Sequence, residues 1–306
     1  MAMESPRPYL FPTLATPVPH APPARSDGSV RIPTGVPDFD YLTGGFPAGS
    51  LVLLSGEAGA GHQEFAVTSA AHLMLRYDDP VRHRLYLGTA KGPFQYPEGV
   101  AYLSTSRSEE QVMSELRGAF EGIYPDVLSR HLSFCDLSPA YFADTVVPSE
   151  WASVRSPLLS EAPASSAPND GPVRALADAA EREGPHRLMI IDSLTDLLVR
   201  RGIDPGDLLT LLKGLRRRAK EWNGVVYLLL SEGVAAPAIE QAIIDSVDAV
   251  LRFSWITSQN RSHRQRSMLI QKSMAMLSHL PAEYHGRFVI RVNAGNGLVT
   301  TQYERV

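Results

Sequence analysis

The chain reads as an α/β protein with a mainly parallel central sheet, helices on both faces, and a β-rich C-terminal edge. Three observations predict this. Short apolar runs alternate with helical patterns along most of the 306 residues. The runs are apolar at nearly every position, as strands covered on both faces must be. From about residue 247 the strand-like runs follow one another without long helices between them. Strands are expected at 50–55, 100–105, 132–136, 187–192 and 224–230, then at 247–255, 266–273 and 286–293. Helices are expected at roughly 63–76, 108–121, 173–183, 206–222 and 236–245.

Proline sets the boundaries. Seven of the 24 prolines fall in the first 30 residues, which lack apolar periodicity, so residues 1–28 are expected to be a flexible tail and 29–306 the folded domain. The Pro- and Ser-rich stretch at about 148–172 is expected to be a disordered surface insert. Within the tail, Tyr9, Leu10 and Phe11 form a compact apolar cluster suited to docking on a partner. The longest apolar runs are far too short to cross a bilayer, so no membrane role is expected. A single cysteine, Cys135, excludes an internal disulfide and fits a reducing, cytoplasmic setting. The net charge of −4 excludes wholesale electrostatic binding of nucleic acid. The nine histidines and one cysteine show no ligand spacing, so no metal site is expected.

The first strand runs into Gly56-Glu57-Ala58-Gly59-Ala60-Gly61-His62-Gln63 and then a helix. This is the frame of a phosphate-binding loop, G-x-x-x-x-G between a buried strand and a helix, where glycines let backbone N–H groups converge on an anion. The side-chain chemistry has gone. His62 stands where the motif requires lysine, and Gln63 where it requires a magnesium-binding hydroxyl. Loss of a charge-assisted hydrogen bond costs roughly 1.5–3 kcal/mol, so phosphate affinity falls at least about tenfold. The loop is either a weakened anion cradle, strengthened at low pH if His62 is protonated, or a strand-to-helix turn without a ligand.

Upstream lie Ile32-Pro33-Thr34-Gly35-Val36-Pro37-Asp38-Phe39-Asp40 and Gly44-Gly45-Phe46-Pro47-Ala48-Gly49-Ser50. With the loop that follows, they resemble the KaiC/RadA branch of RecA-type ATPases. Gly59–Phe65, Asp136–Phe142 and Asp192–Asp196 are more similar still to archaeal "HTR-like" signal-transduction proteins of that superfamily. The resemblance implies a RecA-like P-loop NTPase fold with a degenerate Walker A motif. It also implies ATP or ADP bound weakly at most. The family's catalytic glutamate follows the second strand, but here Tyr102-Leu103-Ser104-Thr105 leads into Ser106 and Arg107, so no catalytic residue is assigned; Glu109 and Glu110 fall in the next helix. Asp192 matches the Walker B aspartate; the alternative is that it caps the helix starting at Leu194. Arg266 and Lys272 match a strand that reaches a neighbour's nucleotide, with Met274 replacing the second arginine; the alternative is an edge strand with solvated charges.

Two basic features stand outside the motif. Lys213, Arg216, Arg217 and Lys220 share one face of helix 206–222, opposite an apolar stripe that includes Leu208, Leu212 and Trp222. Arg261, Arg264 and Arg266 lie in a loop-like run without interleaved aromatics. The functional reading is a non-hydrolysing regulatory or scaffolding component of signal transduction. It is expected to associate with itself or with a related RecA-like chain. The alternatives are a weak ATPase and a nucleic-acid-handling recombinase paralogue.

Overall fold

The computed structural model describes residues 30–87, 94–152, 171–257, 264–278, 280 and 287–304. The tail call at 1–28, including Tyr9–Phe11, lies outside these residues, as does most of the insert call. The insert's flanks are helical: Ser149–Ala152 forms one turn, and Pro172 opens a helix running to Glu183.

The strands are β1 (Arg31–Ile32), β2 (Phe46–Pro47), β3 (Ser50–Gly56), β4 (Val100–Ser104), β5 (Leu132–Asp136), β6 (Leu188–Asp192), β7 (Val225–Ser231), β8 (Ala249–Thr257), β9 (Arg264–Ser273), β10 (Arg287–Asn293) and β11 (Gly297–Glu304). The first two form a small ribbon; the other nine form one sheet in the order β11-β10-β9-β8-β3-β7-β6-β4-β5. Pairing is parallel from β8 through β5 and antiparallel among β8 to β11, which is the expected β-rich edge.

The uniformly apolar strands are explained by two cores. Val52 and Leu54 of β3, Ile190 of β6 and Tyr227 and Leu229 of β7 face one side, packed with Phe65 and Leu73 of helix His62–Asp78. Leu51, Leu53, Ile191, Leu228 and Leu230 face the other, packed with Leu208, Leu212 and Trp222 of helix Pro205–Trp222. Side chains alternate, and both faces are covered. Among the described residues no helix is long and apolar enough to cross a membrane.

The upstream motif closes the first core. Phe39 is fully buried in helix Pro37–Thr43, and the Asp40 carboxylate accepts from Thr34 N (2.7 Å), Thr34 Oγ1 (2.9 Å) and Gly35 N (2.8 Å). Nearby, His72 is held between Gly35 O (2.7 Å) and Tyr124 Oη (2.8 Å). Burial lowers His72 from 6.5 to about 4. Burial raises Asp40 from 3.8 to about 7, against the pull of its three donors. The two groups tilt stability in opposite directions. Between pH 4 and 6.5 the unfolded chain holds the extra proton at His72, so that term rises with pH; Asp40 holds it in the native state, so its term falls. Asp40→Asn removes the falling term. Chemical denaturation of this variant should therefore show stability rising more steeply with pH over that window than in the wild type.

Candidate functional site

The glycine loop keeps its backbone form. Gly59 (φ 69°) and Gly61 (φ 119°) take left-handed conformations, and Gly61 precedes the 17-residue helix His62–Asp78. The loop is fastened from the β8–β9 side. Glu57 N donates to Phe253 O (3.1 Å), Trp255 Nε1 to Ala58 O (3.1 Å) and Arg266 Nε to Gly59 O (2.8 Å). Ala60 N turns back to Glu57 O (3.0 Å). The amides of Gly59, Gly61 and His62 have no partner among the described residues, leaving donors at a helix N-terminus.

The two substituted positions diverge. Gln63 is exposed at the loop's mouth. His62 is 6% exposed and packs against Phe253, with its Nδ1 sealed beside Gly56 and without a partner. Burial lowers the His62 pKa, only partly opposed by Glu64 and Asp192. The His62 imidazole is therefore neutral, and its protonation adds charge beside the loop only below the ordinary histidine range.

Asp192, at the C-terminal end of β6, is buried and does not cap the following helix. The cap is Ser193, whose side chain accepts from Asp196 N. The Asp192 carboxylate instead receives the Arg107 guanidinium and the Tyr102 hydroxyl on the same oxygen, Oδ2. Arg107 also donates to Tyr102 Oη (3.1 Å) and pairs with Glu115. Burial alone would lower Arg107, but Tyr102 and Asp192 hold it above its ordinary value, so it stays charged. Burial, with Asp192 beside it, pushes the Tyr102 phenol well up, so it stays a donor. Next to this group, the Asp196 carboxylate accepts from Thr105 and Ser106 (2.7 Å to the latter). Ser106 and Arg107, just after β4, thus supply a hydroxyl to Asp196 and a guanidinium to Asp192.

These side chains wall a cavity of about 260 Å³ that brings His62 and Gln63 together with Ser106, Arg107, Asp192 and Asp196. They do not fit a magnesium nucleotide. Asp192 is already paired with a fixed cation, Gln63 offers neither a hydroxyl nor a carboxylate, and His62 is neutral. Among the described residues no group of three or more His, Cys, Asp or Glu side chains could hold a metal.

Lys272 and Arg266 are bonded within their own chain. Lys272 Nζ donates to Ile244 O (2.7 Å), Asp245 O (3.1 Å) and Val247 O (2.9 Å), closing the C-terminus of helix Pro237–Ser246. Arg266 straps the loop. Met274 is 86% exposed. Lys272→Met should lower stability by about 1–2 kcal/mol, read by thermal melting, since three carbonyls lose a charged donor.

The basic face of helix Pro205–Trp222 is partly neutralised, with Arg216 and Lys220 both paired to Asp248 (2.9 and 3.1 Å). Arg264 and Arg266 lie over the Trp255 ring (4.8 and 5.0 Å), an aromatic partner supplied by the facing strand, so the basic run is not without one. Arg261 lies outside the described residues.

A KaiC-like protein from the hyperthermophilic archaeon Pyrococcus horikoshii OT3 is similar in structure, with a TM-score of 0.57 over 90% of this chain and 100% of that one. The fold is that of KaiC-like, RecA-type proteins. Sequence identity is 16%, so the likeness concerns the fold alone. No protein-family model and no curated protein matches the chain.

Proposed function

We propose that the chain is a RecA/KaiC-like protein with a degenerate phosphate loop that does not hydrolyse ATP and works as a regulatory or scaffolding component, as in signal transduction. The carrying observation is Arg107 on Asp192. Hydrolysis in this fold needs a carboxylate to orient water and an aspartate free to hold a hydrated cation. Here the first is absent at Ser106 and Arg107, and the second is neutralised by a guanidinium from the same stretch. The expected result is phosphate release no faster than a buffer control with saturating magnesium and ATP. Steady, magnesium-dependent release that disappears in Asp192→Ala would overturn the proposal.

The partner belongs to the proposal too: a second copy or a related RecA-like chain, in the cytoplasm. Because Lys272 is consumed by its own helix terminus, association should not run through it. Light scattering should give the same oligomeric mass for Lys272→Glu as for the wild type. A nucleic-acid role is favoured only by the Arg264–Trp255–Arg266 stack, which joins cations to an aromatic face.

A further inference from the structure

We propose that the Arg107 guanidinium is a built-in replacement for the divalent cation, so that the cavity beside the glycine loop takes a phosphate group without metal. This rests on the same site as the non-hydrolysing reading and adds what that site binds.

Three features meet at or beside the cavity. The first is the His62 amide, without a partner at the N-terminus of a long helix that lines the cavity, with the unpartnered amides of Gly59 and Gly61 in the loop just before it. Such amides favour an anion. The second is His62, nine-tenths buried in the cavity wall, with neither ring nitrogen hydrogen-bonded. Its Nδ1 is sealed, which leaves Nε2 as the ring nitrogen open to the cavity. The third is Arg107, in the same wall.

A divalent cation in such a site bridges an aspartate and a phosphate. A guanidinium can do the same, because its donors point in several directions from one plane and match phosphate oxygens. Arg107 spends Nη2 on Asp192 and Tyr102 and Nη1 on Glu115, while its Nε has no partner among the described residues. It carries one positive charge where the ion would carry two. Asp192 and Glu115 share that charge and Asp196 adds a carboxylate to the wall, so the affinity is modest, and a magnesium ion arriving with the ligand would find Asp192 already paired. The ligand class is a phosphate group on a small molecule, either inorganic pyrophosphate or the phosphate tail of a nucleotide.

The test is calorimetric titration of the full chain with pyrophosphate and, separately, with ATP, each with EDTA and with excess magnesium. Phosphate release is monitored in parallel for the wild type and for the Arg107→Lys and Arg107→Gln variants. The wild type should bind in EDTA, and magnesium should weaken binding severalfold. Equal affinity for pyrophosphate and ATP would assign recognition to the phosphate alone, whereas tighter ATP binding would add a contact to the nucleoside. Arg107→Lys should keep metal-free binding. Arg107→Gln, which retains hydrogen-bonding capacity but no charge, should lose at least about tenfold in EDTA and gain affinity when magnesium is added, because Asp192 is then free of its cation. Circular dichroism confirms that each variant is folded, and if Arg107→Gln is not, the EDTA-versus-magnesium comparison on the wild type and Arg107→Lys decides. Strict magnesium dependence in the wild type, no binding of either probe, or unchanged binding in Arg107→Gln would overturn the inference. Turnover would instead overturn the non-hydrolysing reading, whatever the binding result.

Discussion

Replacing Gly45 by alanine is expected to leave the chain largely unfolded. Gly45 sits at φ 74°, and a Cβ there would lie 2.3 Å from Ile32 O and 2.8 Å from Pro33 Cα. Both opposing atoms are backbone, so no side chain can swing aside. The left-handed conformation costs alanine about 1 kcal/mol or more on its own, and relief of the clash requires separating β1 from the turn before β2. That ribbon carries Ile32 and Phe46, both buried in the core beneath the glycine loop. A loss of at least about 4 kcal/mol follows, measurable as a collapse of the urea midpoint. Gly44 makes a clean contrast. It has φ 71°, but its nearest foreign atom is a flexible one, Arg31 Cδ at 3.5 Å, so Gly44→Ala should cost only the conformational term.

The second large effect is expected from Asp40→Ala. Its carboxylate is the common acceptor for Thr34 N, Thr34 Oγ1 and Gly35 N, and all of these groups are buried. Truncation strands three donors at once. Each unsatisfied buried group costs about 1–3 kcal/mol, so a loss of about 3 kcal/mol or more is expected in equilibrium denaturation. Asp38→Ala, two residues away and half-buried, should cost clearly less. The contrast matters for the motif G-V-P-D-F-D: its last aspartate ties the chain to itself, away from the cavity.

Much of the architecture was legible because the parallel strands are buried on both faces, and continuous apolar runs such as Leu51–Leu54 and Val225–Leu230 leave little choice. The last strand, β11, escaped the reading. Its apolar start is only Leu298-Val299 before Thr300-Thr301, yet Asn296-Gly297 at its start is a hairpin signal, and Gly297 does adopt φ 63° there. The site was legible residue by residue but not as pairs. Arg107 was seen as an absent carboxylate. Nothing in the local sequence says that its guanidinium reaches Asp192, 85 residues onward, because β4 and β6 become neighbours only when the sheet forms. Lys272 shows the same limit. Its type fits a neighbour-sensing role, while its direction, set by pairing with Val250 on β8, sends it to a helix terminus of its own chain. Trp255 was likewise invisible as a partner of Arg266 until cross-strand register placed them opposite each other.

A guanidinium that holds the place of the metal leaves Asp192 already paired when a divalent cation arrives. Crystals of the protein grown with manganese and ATP test it most directly, because manganese scatters anomalously and mimics magnesium in oxygen-ligated sites. The expected map shows Arg107 still paired with Asp192 and no anomalous peak beside that carboxylate. A manganese peak coordinated by Asp192, with Arg107 displaced toward Glu115 or solvent, would contradict it.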